Sequence, residues 1–138
     1  MKKYHLAWDE SRHALGISSI DQQHCTLVEL VNELAEAVAG DCDYDQVHLH
    51  MERVIHFTQG HFVHEEDLMR EHGFPGLESH AADHLEVLHK AVTLMEALKP
   101  SDTNRVVLVT AFLTDCAEYH ILNEDRELAL YLLERGLR

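Results

Sequence analysis

Thirteen of the 138 residues are histidine, several times the share of an ordinary domain, and imidazole is the side chain that most often ligates metal ions. In an α-helix, residues four apart sit about 40° apart in azimuth and about 6 Å apart along the axis, so two ligands at that spacing can converge on one metal or on a close metal pair. His80 and His84 have this spacing, and so do His61 and Glu65. In a chain this rich in histidine such pairs also arise by chance, and His48 with Glu52 and His120 with Glu124 match equally well. Spacing alone does not choose among them.

The direction each residue faces is more selective. His80 and His84 share a stripe with Val87, Leu88, Ala91, Met95 and Leu98, the one face of their segment that can be buried. His61 and Glu65 share theirs with Val54, Phe57, Leu68 and Met69. His24 continues the stripe of Val28, Val31 and Ala35, and His120 follows Val106, Val109, Leu113 and Cys116. His48 falls roughly 140° from the His61 stripe at 100° per residue, on the solvent side. Four segments therefore send ligand-type side chains into one shared core. One such histidine would be a core residue satisfied by hydrogen bonds. Several imidazoles and a carboxylate buried without partners would cost roughly several kcal/mol per group. A multivalent cation removes that cost and turns the cluster into a source of stability.

Helices must position these residues. The run Ser19-Ile20-Asp21-Gln22 reads as a capping box that opens a first helix. Its apolar stripe of Leu27, Val28, Val31, Leu34, Ala35 and Val38 ends at Gly40-Asp41-Cys42-Asp43. Asp43 can cap a second helix running from about Asp45 to His72 and closed by Gly73-Phe74-Pro75-Gly76. A third is expected from Leu77 to Leu98, a fourth from Thr103 to His120, and a last piece from Asp125 to Arg135. No alternating strand pattern appears. The expected architecture is all-α: an up-down four-helix bundle with an N-terminal arm and a short C-terminal helix. One domain is expected over 1–138, with the irregular arm at 1–17 and the bundle and C-terminal helix at 18–138.

Bulk composition narrows the function. A formal net charge of −14 argues against nucleic acid, which needs Lys and Arg to displace its counterions. No apolar stretch reaches the length of a membrane span. The start, Met1-Lys2-Lys3-Tyr4-His5, carries charge with no apolar run behind it, so the cytoplasm is the expected compartment. Cys25, Cys42 and Cys116 are odd in number and contain no CxxC pair, which fits reduced thiols.

The sequence closely resembles the hemerythrin family, the bacterial hemerythrins in particular, over nearly its whole length. The resemblance rests on Trp8, Gly16-Ile17 and Ile20-Asp21-Gln22-Gln23-His24. It continues with His61-Phe62-Val63-His64-Glu65-Glu66 and Met69, with Phe74-Pro75 followed by His80 and His84, and with His120-Ile121 and Asp125. It implies two non-haem iron ions joined by an oxo or hydroxo bridge. His80, His84 and His120 would hold one iron, and His24 and His61 the other, which keeps an open position. Glu65 and Asp125 would bridge both. It further implies reversible binding of dioxygen, as a carrier, store or delivery protein and not as an enzyme, with dioxygen as the partner. Carrier, store and a sensor of O2, NO or redox state share one such site, and the residues do not separate them; the oligomeric state stays open too.

Asp125 lies five residues after His120, off one α-helical face, whereas Glu124 lies four after it. A local π-bulge after His120 would bring Asp125 round to the core. Relatives in the family usually carry Trp where Cys116 stands, so a roomier or wetter pocket is expected. Leu88 is a plausible pocket liner, and Phe74 replaces a Tyr common before the loop proline. His64 and His72 lie near the site and could support its ligands from outside, but surface exposure accounts better for His64 and closure of a helix C-terminus for His72. His5, His13, His50, His56 and His89 receive no role. The rival di-iron class, a ferritin-like oxidase or iron store, is marked by Glu-x-x-His pairs on core faces. Glu10 to His13 lies in the arm and Glu86 to His89 faces away from the His80 stripe.

Overall fold

The computed structural model describes residues 6–40, 43–101 and 103–138. The Met1-Lys2-Lys3-Tyr4-His5 start and Asp41-Cys42 of the first break lie outside the described residues. The protein is all-α. A short helix α1 (Glu10–His13) precedes α2 (Ser18–Ala39), α3 (Tyr44–Glu71), α4 (Leu77–Glu96) and α5 (Thr103–Tyr119); a π-helical turn at His120–Glu124 then leads into α6 (Asp125–Glu134). Helix α2 packs on α3 and α5, and α4 packs on the same two, which closes a four-helix ring. Among the described residues no helix is long and apolar enough to cross a membrane.

The helix ends follow local chemistry. Asp43 caps α3, its carboxylate accepting the N–H of Gln46 at 2.9 Å. At the other end, Gly73 takes the left-handed conformation (φ 66°), and the N–H of Phe74 donates to the carbonyl of Met69 at 2.8 Å. This is the Schellman closure, which reverses the chain before Pro75.

The arm is not wholly irregular: residues 10–13 form a helical turn capped by Asp9. Ser19 does not cap α2, whose N-cap is Ile17 with no side-chain bond. Instead, Gly16 turns the chain at φ 94°, and the Asp21 carboxylate reaches back to accept the N–H groups of Leu15 (2.8 Å) and Gly16 (3.0 Å). The carboxylate thus braces the entering arm rather than the helix end.

Burial divides the interior into layers. The larger apolar cluster contains Leu27, Val31, Leu34, Met51, Val54, Ala91, Met95, Val109 and Leu113. The smaller contains Leu15, Ile17, Ile20, Met69, Leu128 and Leu132. Along α2, His24 falls between Ile20 of one cluster and Leu27 of the other; along α3, His61 and Glu65 fall between Val54 and Met69. A polar layer is therefore clamped between two dry ones.

Candidate metal centre

Seven polar side chains make that layer. His24, His61, Glu65, His80, His84, His120 and Asp125 are all buried, and Glu65, His24 and Asp125 have no exposed surface at all. Helix α2 supplies His24, α3 supplies His61 and Glu65, and α4 supplies His80 and His84. His120 opens the π-helical turn and Asp125 follows it. The turn inserts one residue into what would otherwise be a continuous helix, which brings a residue five positions on round to the face that an α-helix gives to the fourth. Both His120 and Asp125 consequently face inward.

The Glu65 carboxylate separates two halves. Its Oε2 lies 2.9 Å from His61 Nε2 and 3.7 Å from His24 Nε2, while its Oε1 lies 3.1 Å from His84, 3.3 Å from His120 and 3.5 Å from His80. Asp125 does the same less evenly. Its Oδ1 is 3.2 Å from His80, and its Oδ2 is 2.7 Å from both His24 and His120. Two groups of donor atoms result, one of His24, His61, Glu65, His120 and Asp125, the other of Glu65, His80, His84, His120 and Asp125. His24 and His61 are private to the first, His80 and His84 to the second, and His120 sits on the seam.

The outer ring nitrogens show which atoms are offered inward. His61 Nδ1 donates to Gln23 Oε1 at 2.7 Å, and His84 Nδ1 donates to Glu66 Oε2 at 2.9 Å. A proton on Nδ1 leaves the Nε2 lone pair of a neutral imidazole pointing at the carboxylates. Lone pairs facing lone pairs repel, so something positive must lie between them, either protons or a cation. Protons leave a mark. Burial alone would lower His80, yet Asp125 and Glu65 lift it to about 9. Burial likewise opposes the charge on His120 and His61, and the same two acids raise both, His120 strongly. Burial would raise the two carboxyls, but His120 holds Glu65 well below its ordinary value and also lowers Asp125.

Protons do not complete the arrangement. Both Glu65 oxygens, Asp125 Oδ1, His80 Nε2 and His84 Nε2 are buried and have no hydrogen-bond partner. Buried polar groups in proteins are satisfied almost without exception, and outside this layer His13 Nε2 is the one such side-chain atom without a hydrogen-bond partner among the described residues. Thr110 and Thr114, also buried, show the ordinary solution by donating to the carbonyls four residues back. Five imidazoles with two carboxylates form a nitrogen-rich set with shared oxygen donors, which suits a pair of first-row transition-metal ions such as iron. The residues present fit a di-iron group.

The remaining histidines sort clearly. His48 and Glu52 pair at 3.7 Å away from the core, as their facing required. Glu124 is not among the grouped donor atoms, but it is no decoy: its Oε1 lies 3.4 Å from the outer nitrogen of His120. Glu86 and His89 are exposed. His64, read as a surface residue, is half-buried and pairs with Ser19 Oγ at 2.9 Å. His72 closes α3, and its carbonyl accepts the Tyr131 hydroxyl. The sequence reading gave His13 no role, yet it is fully buried, accepts the N–H of Asp9 through Nδ1, and fixes the arm beside Glu118. Gln23 and Glu66 were legible only as neighbours of His24 and Glu65; nothing in their spacing marked them as supports of His61 and His84.

An apolar cavity of about 260 Å³ reaches this layer. Leu27, Phe62, Leu88, Leu113, Cys116 and His120 are among its lining residues. The Phe62 ring stacks on His84 at 3.7 Å between centroids. Burial pushes the Cys116 thiol up, and its sulfur is not among the grouped donor atoms.

Comparison with known proteins points the same way. The hemerythrin family, described as the hemerythrin HHE cation binding domain, matches residues 15–132. A bacteriohemerythrin of Stenotrophomonas maltophilia (strain R551-3) is 36% identical over 89 residues, covering 63% of this chain and 55% of that relative. The match thus spans little more than half of that protein's length. A bacteriohemerythrin of Ralstonia nicotianae is 26% identical over 134 residues, covering 95% of this chain and 91% of the relative. A crystal structure of wild-type hemerythrin has the same fold, with a TM-score of 0.76 over 92% of this chain and 97% of that one at 20% identity.

Proposed function

From the premise that the chain belongs to the hemerythrin family, we propose that it binds dioxygen reversibly at a non-haem di-iron centre held by His24, His61, Glu65, His80, His84, His120 and Asp125. The observation that carries this reading is the set of inward-facing Glu65, Asp125, His80 and His84 atoms that no protein group satisfies. His80, His84 and His120 serve one iron, His24 and His61 the other, and the two acids serve both. When bound, a ferrous pair supplies the two electrons that dioxygen takes up on binding and gives back on release.

The chain's own residues account for selectivity. Two private imidazoles are offered on one side and two on the other, and His120, on the seam between them, is assigned here to the second set. The side with fewer donors is where a small molecule can enter. Glu65 and Asp125 supply two negative charges inside the protein, which offset part of the charge of two divalent ions and make them tolerable in a dry site. The cavity lined by Leu27, Phe62, Leu88 and Leu113 admits a small apolar gas more readily than water or ions. A site that excludes water protects a bound gas from protons that would release it as a reduced product. This favours binding over turnover, as an oxygen carrier or store requires.

The test is spectroscopic. The chain loaded with ferrous iron under anaerobic conditions should be colourless, gain a visible charge-transfer band on exposure to dioxygen, and lose it again on degassing over repeated cycles. No band on exposure would overturn the reading. Sustained oxygen consumption in the presence of excess ferrous iron would replace it with an oxidase.

A further inference from the structure

We propose that Gln23 weakens the His24–His61 half of the centre, so that the metal ion held there is the one released first. The inference rests on the di-iron reading above and concerns residues that contact the imidazoles from behind.

A hydrogen-bond acceptor on the outer nitrogen of a ligating imidazole orients the ring and raises its basicity, and a carboxylate does so more strongly than a neutral amide. The two halves differ on this point. On the His80–His84 side, His84 Nδ1 donates to the Glu66 carboxylate at 2.9 Å. On the His24–His61 side, His61 Nδ1 donates to the amide oxygen of Gln23 at 2.7 Å, and His24 Nδ1 is buried with no acceptor. Glu124, the third acceptor, lies behind His120 on the seam. Among the described residues no negative charge therefore backs the outer nitrogen of either imidazole private to the first half. Gln23 and Glu66 are both only partly buried, and they meet the outer nitrogens of His61 and His84 respectively. They are positioning residues, placed to tune donor strength without changing the number of donors.

That last property lets the effect be separated from ligand count, which also favours the second half once His120 is assigned to it. The chain is loaded with two equivalents of Co(II), whose visible bands report each ligand environment, and stripped with excess EDTA while release is followed. Wild-type protein should lose its ions in two phases. Gln23→Glu should slow the fast phase about tenfold or more and leave the slow phase alone, in line with the roughly 10–100-fold effects of such outer partners on metal affinity. Glu66→Gln should speed the slow phase and spare the fast one. A slower release cannot come from a damaged fold, so the first variant is informative even if the second is destabilised. Two ions bound but released in one phase, or a Gln23→Glu variant with both phases unchanged, would overturn the inference while leaving the metal site standing. A chain that binds no Co(II) would remove both.

Discussion

Each imidazole at the centre has two nitrogens with different duties. At His61 and His84 the outer one is tied to Gln23 or Glu66, and the inner one faces Glu65. A histidine is therefore committed to this layer by its neighbours in space and not by its place in a spacing pattern. Cys116 is the residue here that departs from the expected large ring, and it borders the apolar cavity beside His120. A thiol there leaves room that an indole would fill, and room beside a polar group admits water. Cys116→Trp should accordingly slow the decay of the oxygenated form severalfold. Stopped-flow decay with equal rates for the two proteins would contradict that cause.

At the scale of elements, the π-helical turn decides which acid reaches the core. His120 and Glu124 have the spacing that an uninterrupted α-helix would use, yet Asp125 is the buried one, with no exposed surface. Asp125→Ala should reduce iron from two ions per chain to one or none, whereas Glu124→Ala should keep both; elemental analysis of desalted protein measures each. Much of this architecture was legible beforehand. Asp43 and Pro75 punctuate the chain, the apolar stripes set the buried faces, and the Asp125 that the family resemblance implied, five residues after His120, called for a bulge. What could not be read depends on contacts between distant segments. Asp21 belongs to a plausible capping box, but the arm's unpaired N–H groups claim its carboxylate once Gly16 has turned the chain. His13 looked spare because its burial exists only when the arm folds back against Glu118. The supports of His61 and His84 were hidden for the same reason, since Gln23 lies 38 residues from His61.

The whole molecule is a polar layer held between two apolar ones, so its stability depends on what neutralises that layer. Without metal, protons do so in part. His80 is raised from 6.5 to about 9, so its contribution is whole below 6.5 and fades as pH climbs through about 9. Glu65 and Asp125 are depressed from 4.5 and 3.8, so their contributions are whole above those values and vanish as pH falls through the lowered ones. The metal-free chain is thus best steadied by this cluster from about pH 4.5 to about 6.5. Bound metal keeps the imidazoles deprotonated and removes the alkaline loss. The difference in Tm between loaded and metal-free protein should widen from about pH 6 to about pH 9, as differential scanning calorimetry would show; a constant or shrinking difference would mean that the cluster does not titrate as a unit. Most direct of all is an iron count on protein reconstituted anaerobically and freed of loose ions. Two irons per wild-type chain, falling in His24→Ala and in His84→Ala, is the expected result; a wild-type chain that retains no stoichiometric iron would contradict the existence of the centre.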